Sequence, residues 1–199
     1  MRPLLLIGCG GHARSLIELI ESSAEWQIHG LVGLPEQVGS RVLGYPVIGC
    51  DDDLPALRDE CSAGVLAIGQ LPDSVPRQRL AAELEHLGFY FPVLISPNAV
   101  VSRHAQLGLG TTVGHGVIVN AGVVVGSHCI LNSRALLEHD VQIGNHCHIS
   151  TGVLVNGGVT VGSGSFIGSG AMIREGLNLP PLTVIGACKR VMGWPLRDQ

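Results

Sequence analysis

From Ile95 onward the chain carries an aliphatic residue at every sixth position: Val101, Leu107, Val113, Val119, Val125, Leu131, Leu137, Ile143, Ile149, Val155, Val161, Ile167 and Ile173. With Ile, Leu and Val filling about a third of a chain, an unbroken run this long arises by chance on the order of once in a million. The residue four places after each is mostly small or β-branched, as in Ala99, Ala105, Val117, Val123, Cys129, Ala135 and Cys147. The residue just after is often Gly or Asn, as in Gly108, Gly114, Asn120, Gly126, Asn132, Gly144, Asn156, Gly162 and Gly168. One short strand plus one turn fills six residues, and three such units close a triangular coil of eighteen. Aliphatic side chains then point inward and stack on the coil below, about 4.8 Å away. Gly and Asn tolerate the left-handed backbone expected at the corners. This is the pattern of a hexapeptide parallel β-helix.

Composition agrees with so narrow an interior. Aromatic residues, too large for it, make up 4% of the 199 residues, and charged residues 14% against the usual ~25%. A net charge of −4 argues against a nucleic-acid partner, which would select a basic face. No apolar run reaches the ~18–20 residues needed to span a bilayer, so no membrane partner is expected. The six cysteines show no CxxC spacing and the first residues lack an export pattern, so reduced thiols in a cytoplasmic protein are expected.

Residues 1–94 read differently. Leu4–Ile7 is a strand, followed by Gly8-Cys9-Gly10-Gly11-His12 and a helix over Ala13–Glu21. Ile28–Val32, Val47–Ile48 and Gly64–Ile68 read as strands, helices run from Asp51 or Asp52 through Asp59 and over Pro76–Leu87, and Phe89–Ile95 is a last strand. This alternation predicts a small parallel α/β sheet. The expected organisation is an α/β domain over 1–94, a β-helix over 95–178 and a tail over 179–199 set off by Pro180 and Pro181.

Three features bear on chemistry. The glycine-rich turn between the first strand and helix suits an anion, because it lets backbone N–H groups approach a phosphate; it also serves as a bare strand-to-helix connection. His12 either contacts such a ligand or caps the helix. The second feature is sharper. Between Ala105 and Ile173 the charged side chains are Arg134, Glu138 and Asp140, gathered around His139 and expected at one corner. Imidazole suits general-base work near neutral pH, and Asp140 or Glu138 would hold it and stabilise its protonated form. One coil away on either side lie Ala121 and Gly157, both small enough to admit a ligand. Third, Lys189, the single lysine of the chain, precedes Arg190; this pair suits the phosphates of a CoA thioester, or is a solvated tail charge. His128 and His146 stack one coil apart, but no third ligand converges by spacing, so no metal is expected.

The GxGGH turn, the α/β cap and the segment Asn132-Ser-Arg-Ala-Leu-Leu-Glu138-His139-Asp140 resemble the NeuD/PglD-type sugar acyltransferases, over nearly the whole chain. The resemblance implies a small Rossmann-like sugar-nucleotide-binding domain, then a left-handed β-helix, with the tail contributing to CoA binding. It implies acetyl-CoA as co-substrate, a sugar or nucleotide-sugar amine or hydroxyl as acceptor, and a homotrimer with active sites at subunit interfaces. It makes His139 the general base and Asp140 its polarising acid. Asn132 and His148 lie near the acceptor and reacting groups, Gly157 near the thioester, and Gly8, Gly10, Gly11 and His12 in the sugar-nucleotide loop. Lys189 and Arg190 fall where the family contacts CoA, in a segment that lacks the family's proline. The stretch Leu31-Val-Gly-Leu-Pro-Glu36 also lacks the Asp-Asp pair with which the family often meets a uracil. Two other readings share the fold: a γ-carbonic-anhydrase-like zinc enzyme, and a non-catalytic nucleotide-sugar-binding module.

Overall fold

The computed structural model describes residues 1–70 and 72–195. The chain divides into two compact units, one of Met1–Gly69 with Pro76–Pro92, the other of Gln70–Val75 with the chain from Val93 onward.

In the first unit, β1 (Arg2–Ile7) is followed by α1 (Gly11–Ser23), β2 (Trp26–Val32), β3 (Arg41–Val42), β4 (Tyr45–Gly49), α2 (Leu54–Glu60), β5 (Gly64–Leu66) and α3 (Val75–His86). The sheet order is β3-β4-β2-β1-β5, parallel except for the β3–β4 hairpin. β1 lies between β2 and β5, and Leu4, Leu5 and Leu6 are fully buried, as a parallel strand covered on both faces requires. α1 buries Ala13, Leu16, Ile17 and Ile20, a helical stripe against the sheet. β2 and β5 flank β1 on opposite sides, so the strand order reverses there. The turn at Gly8–His12 therefore lies at the carboxyl end of the switch-point strand, where open α/β sheets take their ligands. The strand expected over Phe89–Ile95 is not continuous: Tyr90 makes an isolated bridge to Ala63, and β6 is Leu94–Ile95 alone. Pro92, lacking an N–H, separates the two.

The second unit is a triangular coil of two-residue strands, β6 to β22 (Arg190–Val191), stacked in three parallel sheets of six, five and six strands. From Val113 onward the second residue of each strand is buried; Val113, Leu137, Ile149, Val155, Ile167 and Ile173 are fully so. The coil does not end at residue 178. β20 (Asn178–Leu179), β21 (Val184–Ile185) and β22 continue it, and Leu179, Ile185 and Val191 are as buried as the rest. The tail expected over 179–199 is thus largely coil, with residues 196–199 outside the described part. Pro180 and Pro181 occupy a corner, where no strand N–H is lost.

The glycines divide into two roles. The left-handed corner residue is not the one just after each aliphatic position but the one three places after it. It recurs every sixth residue from Gly110 to Cys188, with φ between +55° at His146 and +75° at Gly122. The glycines just after the aliphatic positions serve close approach instead. A Cβ on Gly144 would lie 2.5 Å from the Ser163 nitrogen, and one on Gly168 would lie 2.6 Å from the Ala187 nitrogen, both backbone atoms of the next coil.

One inner corner column is polar: Thr111, Cys129, Cys147, Ser165 and Thr183. Each side chain donates to a corner carbonyl: Thr111 Oγ1 to Gly126 (2.8 Å), Cys129 Sγ to Gly144 (3.1 Å), Cys147 Sγ to Gly162 (3.2 Å), Ser165 Oγ to Gly162 (2.6 Å) and Thr183 Oγ1 to Pro180 (2.6 Å). Cys129 and Cys147 are free, buried thiols.

The two glycine roles separate by mutation. Gly144→Ala is expected to cost roughly 2–3 kcal/mol through backbone overlap. Gly152→Ala, at φ +68° with open space around it, is expected to cost only about 1 kcal/mol. Thermal unfolding of the two variants checks the order; equal losses would remove the distinction.

Candidate active site

Fully buried Leu137 and Val141 fix Glu138, His139 and Asp140 as the corner between β13 (Leu136–Leu137) and β14 (Gln142–Ile143). The corner backbone is pinned on both sides: Glu138 N donates to Val155 O (2.9 Å), Asp140 N to Ala121 O (3.1 Å), and Gly158 N to His139 O (2.9 Å). His139 Nδ1 lies 3.0 Å from Asp140 Oδ2. Both side chains are about two-thirds or more exposed, at 67% and 72%, so the pair adds little to stability. Its effect is orientation. With Nδ1–H donated to the carboxylate, Nε2 carries the lone pair. Nε2 lies 2.6 Å from where a Cβ on Gly157 would be, so the imidazole occupies the space that Gly157 leaves one coil away. The Gly157 N–H makes no backbone hydrogen bond among the described residues, whereas its neighbours Asn156 and Gly158 both do.

Glu138 is not the imidazole's partner. Its Oε2 accepts from Asn120 Nδ2 at 2.9 Å. Nor do the three charges share one corner. Arg134 stands at the preceding corner, between β12 (Ile130–Leu131) and β13, and forms no ion pair among the described residues. From Gly110 to Gly176 the left-handed corners are glycine except at His128, Arg134, Asp140 and His146. A non-glycine residue there costs about 1–2 kcal/mol. Such strain concentrates at functional positions, and this run brackets His139.

Asn132 and His148 form a second group. Asn132 Oδ1 accepts from Ser133 N (2.8 Å), which turns Nδ2 toward His148 Nε2 at 3.5 Å. His148 Nδ1 is 2.7 Å from Gln70 O. A carbonyl only accepts, so Nδ1 carries the proton and Nε2 is an acceptor. Gln70, 78 residues away in sequence, was beyond the reach of any spacing argument. Phe166 packs edge-on against the same ring, with centroids 5.3 Å apart. Lys189 and Arg190 are exposed on the last coil, where Met172 N donates to Lys189 O (2.9 Å) and Arg190 pairs with Met172.

In the α/β unit, Gly8 has φ +119° and its N–H donates to Val32 O (2.8 Å); a Cβ there would lie 2.8 Å from the Ile68 nitrogen. Gly10 precedes α1 with no side-chain cap, and the space beside Gly10 and Gly11 is open. His12 stands half-buried in the first turn. His128 and His146 stack at 5.2 Å, and His128 is buried. Among the described residues no group of three or more His, Cys, Asp or Glu is placed to hold a metal ion.

Comparison with known proteins agrees with this architecture. Residues 3–84 match the PglD N-terminal domain, and residues 140–175 match the bacterial transferase hexapeptide (six repeats). A solved structure of perosamine N-acetyltransferase PerB from Caulobacter crescentus, in complex with CoA and GDP-perosamine, is 35% identical with a TM-score of 0.89; the match covers 100% of this chain and 90% of that one. The acetyltransferase domain of PglB from Neisseria gonorrhoeae is 31% identical with a TM-score of 0.87, covering 96% and 92%. The same domain has also been solved in complex with acetyl coenzyme A. A comparison with curated proteins returned no match. An α/β domain followed by a left-handed hexapeptide coil, together with these matches to CoA-bound sugar acetyltransferases, marks the chain as an acyltransferase. The chain belongs to the NeuD/PglD-type sugar acyltransferase family.

Proposed function

We propose that the protein transfers an acetyl group from acetyl-CoA to an amine or hydroxyl of a nucleotide-linked sugar, with His139 as general base. One observation carries this reading: Asp140 holds Nδ1 of His139, and the Nε2 end of the exposed ring lies in the space that the missing Gly157 side chain leaves. Nε2 takes the proton of the acceptor as its nitrogen or oxygen attacks the thioester carbonyl. Asp140 stabilises the imidazolium. The Gly157 N–H supports the tetrahedral oxyanion. Collapse breaks the carbon–sulfur bond, and the imidazolium returns its proton to the departing CoA thiolate. The relatives solved with CoA, acetyl coenzyme A and GDP-perosamine support the donor and the class of acceptor, and favour an amine.

The remaining roles follow the same reading. Asn132 and His148 position the acceptor, Lys189 and Arg190 bind the phosphates of CoA, and the turn leading into α1, at Gly8, Gly10, Gly11 and His12, takes the sugar nucleotide's diphosphate. The six free thiols among the described residues and the lack there of any helix long and apolar enough to cross a membrane support a cytoplasmic setting.

A homotrimer is supported by one face of the coil. The outward residues of β7 (Val100–Val101), β10 (Ile118–Val119), β13, β16 (Leu154–Val155) and β19 (Met172–Ile173) are Val100, Ile118, Leu136, Leu154 and Met172, all apolar. Val100 is 64% and Leu154 42% exposed in the single chain. The next sheet instead presents Gln106, Val124, Gln142, Thr160 and Asn178. A continuous apolar stripe of this kind marks an association surface. The His139 corner and the Asn132–Arg134 corner border this stripe on its two sides, so closing three copies about it would bring unlike corners together between subunits.

His139→Ala is expected to lower acetyl transfer, read as thiol release from acetyl-CoA with a nucleotide-linked amino sugar, by about 10²–10⁴-fold; full turnover would sink the mechanism. Leu154→Asp is expected to shift the sedimentation mass from three chains toward one. A wild-type protein that sediments as a monomer would dismiss the trimer.

A further inference from the structure

The carboxyl end of the α/β sheet contains a side-chain amide whose polarity is fixed. β1 and β2 are neighbours, and their carboxyl ends are tied by the Gly8 N–H to Val32 O hydrogen bond. Beyond β2 the chain makes a tight turn over Leu34–Gln37. Gln37 Oε1 accepts two hydrogen bonds there, from Leu34 N at 2.8 Å and from the Cys9 thiol at 3.0 Å. A backbone N–H can only donate, so the atom facing it is the oxygen. Gly33 makes room for this contact; a Cβ there would lie 2.7 Å from Cys9 Sγ and 3.0 Å from Gln37 Oε1. With its oxygen turned inward on two donors, the amide must present its –NH2 away from them. That nitrogen is not among the buried unpaired atoms and donates to nothing among the described residues. Through its hydrogen bond with Cys9, Gln37 is tied to the turn at Gly8–His12.

We infer that Gln37 is a specificity-determining residue that reads the nucleobase by donating to a keto oxygen. The inference rests on the reading that Gly8–His12 takes the diphosphate of a nucleotide-linked sugar. A fixed –NH2 matches the carbonyl of a 6-oxopurine or a 4-oxopyrimidine. The exocyclic amino group of adenine or cytosine in the same place would set donor against donor, with neither satisfied. Cys9 is the positioning residue: its thiol is the second donor that keeps the amide from turning over.

Gln37→Glu tests this without disturbing the turn. The carboxylate still accepts from Leu34 N and Cys9, but the open donor becomes an acceptor. Binding of GDP, UDP, ADP and CDP to the full-length protein and to the variant is measured by titration calorimetry. The wild type is expected to bind GDP and UDP at least about tenfold more tightly than ADP and CDP, respectively. The added negative charge weakens all four nucleotides alike, so the ratios are the readout. In the variant, the GDP-to-ADP and UDP-to-CDP ratios are expected to fall by about tenfold or more. Nucleotides that bind with unchanged ratios in the variant would overturn the role of Gln37 and leave the nucleotide site standing. A wild type that binds none of the four would overturn the nucleotide site, and the role of Gln37 with it.

Discussion

The position of nearly every side chain in the coil depends on one interaction, the backbone hydrogen bonding of each coil to the next. Along the strands, the N–H of one residue donates to the carbonyl seventeen places later, as from Glu138 to Val155 and from Gln142 to Val159. At the corners the direction reverses, as from Asp140 back to Ala121 and from Gly158 back to His139. These bonds place each side chain over the residue eighteen positions away. They also demand glycine wherever two coils approach too closely for a Cβ, as at Gly144 and Gly168.

The same stacking builds the corner at which the chemistry is proposed. His139 is aimed by Asp140 within its own coil and given room by Gly157 in the next, so the site is a product of register rather than of local sequence. The coil admits four strained corners in succession, at His128, Arg134, Asp140 and His146, where the other corners from Gly110 to Gly176 are glycine. At about 1–2 kcal/mol each, these corners are tolerated because the aliphatic column on either side is fully buried and dictates the backbone.

Much of this was legible in the sequence, because a period of six with an invariant aliphatic position has few structural solutions. The His139–Asp140 pair stood out for a related reason: a column nearly free of charge makes its exceptions informative. The misreadings are also physical. Pro180 and Pro181 look like the end of the coil, yet Leu179, Ile185 and Val191 keep the period, and a corner accommodates proline. The glycines just after the aliphatic positions look like turn residues, but their role is interlayer contact. Arg134 sits one corner from where linear proximity suggested, because six residues of chain turn the coil by a third. The Gln70–His148 and Cys9–Gln37 contacts join distant segments and left no periodic trace.

Central to the account is the claim that coil register creates the space in which His139 acts. Gly157→Ala tests it most directly. The added methyl would meet the exposed end of a side-chain ring rather than backbone, so the coil should stay folded with its melting temperature nearly unchanged. The imidazole should swing off its aligned position, and acetyl transfer should fall by at least about 10²-fold. Unimpaired transfer by a folded Gly157→Ala protein would contradict the account.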